Sequence, residues 1–250
     1  SNSLDTWSPT INVNRDPRWG RNVESPSEDP MVAGEYGAAY TRGLQNLSSE
    51  TDLVQAVVTL KHFLAYSIER YDGVDRQHVD VRVSAYDLAN TYLVAWEKVV
   101  KDAGALGVMC SYNAVNGLPT CGNPELNRTL RETFEFKGYV TSDTDSCADI
   151  KNGHPQGIDN FPSRPTNGTD ATRQCLAGGT DIDSGSTYRG FLEEGTKNGV
   201  IDESLVRSAL RNAYRMRMRM GLFDGSDADN VYRDIPLDVV GASQDVSLRA

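Results

Sequence analysis

Short apolar runs rich in β-branched residues alternate along this chain with longer stretches of helical period. The runs fall at about 7–13 (Trp7 to Val13), 56–62 (Ala56 to His62), 105–111, 137–142 and 178–182. Between them, 32–46, 84–103 and 124–135 space their apolar residues as helices do, and two more helices are expected at 187–198 and 203–220. Ser84 followed by Asp87, and Asp202 ahead of Glu203, are helix-start signals, while Gly104, Gly138 and Gly199 punctuate helix ends or strand starts. Strand–helix–strand order implies parallel pairing, because only antiparallel neighbours can be joined by a tight turn. The expected class is therefore α/β, a (β/α)8 TIM-barrel-like domain with its chemistry at the strand C-termini.

The chain's 250 residues match one such barrel in length. About five strands are legible rather than eight, so the expected barrel is incomplete and lacks its N-terminal part. Residues 1–223 are assigned to this partial barrel. The polar, irregular stretch 224–250 reads as an exit linker toward an absent second domain. The stretch 151–170, with three Pro and three Gly, reads as a long exposed loop.

Charge and cysteine usage exclude several function classes. Thirty-five Asp and Glu against 25 Lys and Arg leave a formal charge of −10, the wrong sign for a nucleic-acid partner. No apolar run approaches the ~18 residues of a membrane span, and Ser1 to Asp5 show neither the basic nor the apolar part of a targeting peptide. The four Cys contain no C-x-x-C pair, which disfavours a zinc or thioredoxin-like site. Sequons at Asn46, Asn127 and Asn167, with the even Cys count, favour a secreted glycoprotein, extracellular or in the cell wall. His62, His78 and His154 have no ligand spacing, and 143–154 fails as an EF-hand with Ala148 at position six and His154 at position twelve. No metal and no cofactor are expected, and no dinucleotide, nucleoside-triphosphate or serine-hydrolase motif occurs.

Polar clusters follow the expected strands: Asn14 to Glu24 after the first, Lys61-His62-Phe63 at the second, Met109 to Asn113 at the third and Thr141 to Asp145 at the fourth. Each cluster alone is more often structural than functional. Together they converge, because a barrel sets successive strand ends around one concave site. The chemistry suits a neutral polyol: Arg21, Lys61 and His62 donate to hydroxyls, Glu24 accepts, and Trp19 and Tyr112 offer apolar faces, Trp19 being equally suited to the core. Asp143 sits where a strand-end carboxylate points inward. Nearby Lys and Arg are expected to hold it ionised as a nucleophile, with Asp145 as fallback. Either aspartate is also a candidate cap for the helix that follows.

In these motifs the chain resembles glycoside hydrolase family 3, in its β-xylosidase and α-L-arabinofuranosidase branch. The resemblance rests on Trp7-Ser8-Pro9, Asn12 to Pro30 with its Arg-Asp-Pro-Arg-Trp-Gly-Arg core, and Lys61-His62-Phe63. It continues through Gly73-Val74-Asp75-Arg76, Met109 to Gly117 and Gly138 to Asp143, covering about residues 6–185. It implies Asp143 as nucleophile, with Arg21, Lys61, His62 and Tyr112 lining the first sugar subsite and Glu24 beside them. The implied activity is a retaining exo-glycosidase that releases β-D-xylose, α-L-arabinose or both from oligosaccharides. Thr144 stands where glucosidase-like members carry Trp.

The chain also departs from the family. The loop Leu64 to Glu69 lacks the His that compact members use as acid/base. Larger members take a Glu from a C-terminal α/β sandwich domain, which would have to come from another segment or chain. An acidic sugar-binding residue expected upstream of Trp7 is missing too. Glu69 is a remote candidate for the second carboxyl. The cysteines fit the same picture, pairing Cys110 with Cys121 and Cys147 with Cys175. Arg207, Arg211 and Arg215, at i, i+4 spacing, are read as a solvated outer helix face, with a docking face as the sharper option. Two competing functions stay open: a β-glucosidase of the same family, and a non-catalytic glycan-binding or structural module.

Overall fold

The computed structural model describes residues 4–46, 52–154 and 165–224. Its frame is a parallel sheet of β1 (Asp5–Thr6), β2 (Val57–Phe63), β3 (Gly107–Cys110) and β4 (Tyr139–Ser142), hydrogen-bonded in that order. Phe63 pairs with Cys110, and Cys110 with Ser142, so β2, β3 and β4 end level and their C-terminal ends open on one face. Single parallel bridges, Thr10 to Lys61 and Thr141 to Ile182, extend the sheet at the first run and at a fifth. This is the expected TIM-barrel-like α/β architecture, and the described sheet does not close into a barrel.

The helices connect the strands as the periodicity requires. α1 (Pro30–Gln45) follows β1, and α2 (Val94–Ala103), entered through a π-helical turn Leu88–Tyr92, follows β2. α3 (Pro124–Arg128), continued by a second π-turn Thr129–Thr133, leads into β4. α4 (Ser146–Asn152), α5 (Gly168–Ala177), α6 (Thr187–Lys197) and α7 (Glu203–Arg219) follow in the described residues. The Ser84 and Asp202 signals cap as expected, accepting from Asp87 N at 3.0 Å and Ser204 N at 2.8 Å. One core joins Ile11, Leu60, Phe63, Trp96, Val99, Val108, Leu130 and Val140. α1 lies close on α2 through Gly37, where a Cβ would meet Val99 Cγ2 at 2.8 Å and Ile11 Cγ2 at 2.9 Å.

Several boundaries differ from the sequence reading. The run Trp7 to Val13 is no continuous strand: β1 is two residues long, and Pro9, which has no N–H to give a ladder, stands before the bridge at Thr10. The run 178–182 contributes one bridge only, at Ile182. The expected loop 151–170 is shorter, since α4 runs to Asn152 and α5 starts at Gly168, capped by the Asn167 side chain on Asp170 N at 2.9 Å. Residues 155–164 within it, and 225–250 of the expected linker, lie outside the described residues. Neither Asp143 nor Asp145 caps α4 with its side chain. The arginine face of α7 is exposed, with Arg207 paired to Glu203 at 2.6 Å. No helix among the described residues is long and apolar enough to cross a membrane.

Candidate active site

The site begins with an irregularity in β2. Its pairing with β3 slips between Lys61 and Phe63, leaving His62 as the extra residue. A bulge removes backbone groups from the ladder, and here a buried carboxamide replaces them. Asn12 Nδ2 donates to His62 O at 2.8 Å, and His62 N donates to Asn12 Oδ1 at 2.6 Å. His62 is thereby turned inward and is only 1% exposed. Burial, then the charges of Arg21, Lys61 and Arg76, hold its pKa well below the usual imidazole value, so His62 is neutral at physiological pH.

Asp143 follows β4 and is buried, its backbone N–H donating to Cys110 O at 3.1 Å. Its two carboxylate oxygens differ. Oδ1 accepts from Tyr112 OH at 2.9 Å and from Thr144 N at 2.7 Å. Oδ2 has no hydrogen-bond partner and lies 3.4 Å from His62 Nε2. Burial raises the Asp143 pKa above the ordinary carboxylate value, opposed by the Thr144 and Tyr112 donors and by the charges of Arg21 and Arg76. This corrects the expectation that neighbouring cations dominate. The two donors on Oδ1 outrank the cations, and desolvation outweighs both.

The expected sugar-binding residues gather on the same face. Arg21 donates twice to Glu24, Nε to Oε1 at 2.6 Å and Nη2 to Oε2 at 2.8 Å, and Lys61 Nζ lies 4.0 Å from Glu24 Oε2. The Arg21 bonds hold the Glu24 carboxyl below its ordinary pKa. Arg21 also reaches Tyr66 OH at 3.5 Å. Tyr66 stacks edge-on against Trp19, His62 and Tyr112, which joins the three loops in one aromatic cluster. Asp145 belongs elsewhere: its N–H donates to Ser184 O at 2.8 Å and its carboxylate lies toward Gly185.

Comparison with known proteins identifies the family. The family model described as "Glycosyl hydrolase family 3 N terminal domain" matches residues 4–216. The chain belongs to glycosyl hydrolase family 3. Among curated relatives, "Probable beta-D-xylosidase 7" of Arabidopsis thaliana is 38% identical over 241 residues, covering 94% of this chain and 30% of the relative. "Beta-xylosidase/alpha-L-arabinofuranosidase 1" of Medicago sativa subsp. varia is 36% identical over 240 residues, again with 94% and 30% covered. Among solved structures, a GH3 exo-β-xylosidase bound to a xylobiose aziridine probe superposes with a TM-score of 0.86 at 33% identity, covering 94% of this chain and 30% of that one. A β-glucosidase from Listeria innocua bound to glucose gives 0.76 at 31% identity, covering 88% and 29%. The family 3 chain thus spans about 30% of the length of these curated relatives.

The family 3 site contains residues that the sequence reading left out of its subsite. Arg76 stacks its guanidinium 4.1 Å from the Tyr112 ring centre and pairs with Glu69 Oε2 at 3.2 Å. Glu69 Oε1 accepts from Trp19 Nε1 at 3.0 Å and from Tyr66 OH at 2.5 Å, so both its oxygens are occupied in orienting neighbours. Burial, then the Glu69 hydrogen bond, pushes the Tyr66 pKa up to about 12. The available signal was Gly73 to Arg76, a motif of this family ending on Arg76. Trp19 is 3% exposed and serves the cluster as a wall.

Both disulfides are present, Cys110–Cys121 and Cys147–Cys175, flanking Tyr112 and following Asp143. Asn46 and Asn167 are exposed at helix ends. Asn127 is different: it sits in α3, half-buried, with its carboxamide against Gly179, whose added Cβ would lie 2.1 Å from Asn127 Cγ. That packing sets Asn127 apart from the two exposed acceptors.

The Oδ1 donors give a first expected result. Tyr112→Phe removes a donor that favours ionised Asp143, so its pKa moves further up. The acidic limb of the kcat/KM profile shifts to higher pH, and the rate at the optimum falls about tenfold. An acidic limb that stays in place in pH-rate measurements would refute this role for Tyr112.

Proposed function

We propose that this chain carries the nucleophile and first sugar subsite of a secreted retaining exo-glycosidase that releases β-D-xylose, α-L-arabinose or both from oligosaccharides. The asymmetry of Asp143 carries the reading. One oxygen is fixed by two donors, and the other is buried without a hydrogen-bond partner, 3.4 Å from Nε2 of a neutral His62. A nucleophile needs such a free lone pair, held in position and unprotonated.

In the first step Asp143 Oδ2 bonds to the anomeric carbon as the bond to the leaving oxygen breaks. That oxygen takes a proton from an acid supplied outside these residues, the role of a Glu from another segment or chain. In the second step the same group takes a proton from water, whose oxygen bonds to the anomeric carbon and releases the Asp143 carboxylate. Arg21, Lys61 and Glu24 bind the sugar hydroxyls. Two disulfides and exposed acceptors at Asn46 and Asn167 support an oxidising, extracellular location.

The test is covalent trapping in the full-length protein. A 2-deoxy-2-fluoro xyloside with a good leaving group slows the second step more than it prevents the first, so the adduct accumulates. Peptide mass spectrometry is expected to find it on Asp143. An adduct on another carboxyl, or none from the xyloside, arabinofuranoside and glucoside reagents alike, overturns the reading. The fit to a glucose-bound β-glucosidase supports a second reading, that of a β-glucosidase. Trapping by the glucoside alone would establish it.

A further inference from the structure

Beside the nucleophile pocket, the loops after β1 and β2 enclose a second, shallow cleft of about 340 Å³ including its open mouth. Asp16, Arg18 and Trp19 form one side, and Ser67, Glu69 and Tyr71 the other. Tyr71 ends the two-residue strand Arg70–Tyr71 of a small antiparallel hairpin and is 55% exposed. An exposed aromatic on a two-residue hairpin adds nothing to a core. This one is nonetheless held firmly. The Arg18 guanidinium lies 4.6 Å from its ring centre, and Arg18 is fixed by two parallel bonds to Asp16, at 2.9 and 2.6 Å.

The cleft shares a wall with the site already described. Trp19 Nε1 donates to Glu69 Oε1, Glu69 accepts from Tyr66 OH, and the Tyr66 ring stacks against that of Tyr112, whose hydroxyl binds Asp143. The sugar-hydroxyl ligands Arg21, Lys61 and Glu24 occupy the nucleophile side of that wall. An exo-acting pocket is closed around its terminal ring, so the next ring of the substrate must lie outside it. The cleft offers that ring an aromatic face for its C–H surface and the Asp16 carboxylate for its hydroxyls.

We propose that this cleft binds the sugar ring on the leaving side of the scissile bond, with Tyr71 as its stacking platform and the Arg18–Asp16 pair as the brace. The proposal rests on the glycosidase reading above. Its test compares, in the full-length protein, a trisaccharide with the glycosyl fluoride of the same sugar, whose leaving group is too small to reach Tyr71. In Tyr71→Ala the ratio of kcat/KM, trisaccharide over fluoride, is expected to fall about tenfold, through KM, as about half an aromatic face of apolar contact is lost. Tyr71→Phe keeps the ring and is expected to restore the ratio to within about twofold of wild type. A ratio in Tyr71→Ala that moves less than twofold, while both substrates are still cleaved, overturns the subsite and leaves the glycosidase reading intact. A Tyr71→Phe ratio as low as that of Tyr71→Ala overturns the stacking role. A wild type that cleaves neither substrate, for xylose, arabinose or glucose, overturns the underlying reading and this proposal with it.

Discussion

Replacing Asp143 by Asn is expected to abolish turnover, by a factor on the order of 10⁴ or more, and at the same time to raise the melting temperature at neutral pH. The activity loss follows from chemistry, since a carboxamide cannot form the glycosyl ester. The gain in stability follows from the sign of the linkage. Burial raises the Asp143 pKa in the folded protein above its unfolded value. The folded state therefore binds the proton more tightly, and the favourable contribution is complete at pH below the unfolded carboxylate value. It is lost as pH rises through the folded pKa, where ionised Asp143 must be desolvated. Asn carries no charge to desolvate and keeps an oxygen for the Tyr112 and Thr144 donors. The melting temperatures of the two proteins should converge below the unfolded carboxylate pKa, separate as pH rises from there to the folded pKa, and stay apart above it. A variant less stable than wild type at pH 7, or one that keeps a tenth of the activity, would contradict the assignment. Together the two effects describe a carboxylate kept at a cost in stability for the sake of its reaction.

How much of this was legible in the sequence depends on whether a residue's role is set by its own strand. The placement of Lys61, His62, Tyr112 and Asp143 together was readable because each lies at or just after the end of a recognisable apolar run, and parallel strands bring such ends together. The electrostatics of Asp143 was not, since proximity of Lys and Arg is visible in a sequence whereas burial is not. Glu69 and Arg76 were missed as a pair because they lie on a segment with short, exposed strands and no apolar period, whose place is fixed by side chains from other loops, Trp19, Tyr66 and Tyr112 among them. The first run misled because β-branched residues around Pro9 read as a strand, while the ladder itself is confined to Asp5–Thr6 and Thr10. A sequon is a purely local pattern, and at Asn127 it could not report that Gly179 lies against the side chain.

The framework that holds Asp143 predicts the largest stability effect. Gly138 immediately precedes β4, and Tyr139 N donates to Leu106 O at 3.0 Å. A Cβ on Gly138 would stand 1.9 Å from that same carbonyl oxygen and 2.7 Å from Leu106 Cα. These are backbone atoms at the start of β3, so no side-chain rotation relieves the overlap. The strand pair must separate, and with it the Asp143 N–H bond to Cys110 O at the other end. Gly138→Ala is expected to cost about 4 kcal/mol or more, lowering the melting temperature of the full-length protein by about 10 °C or preventing soluble expression. Gly43→Ala is the matched control. It lies exposed in α1 with nothing within 4 Å of an added Cβ, and the same substitution there should stabilise by about 0.5–1 kcal/mol through backbone entropy. Equal melting temperatures for the two variants would show that β3 and β4 are not as closely apposed at Gly138 as described. The expected opposite signs instead tie the glycine read from the sequence as a strand start to a specific function, letting two strands meet closely enough to deliver Tyr112 and Asp143 to one pocket.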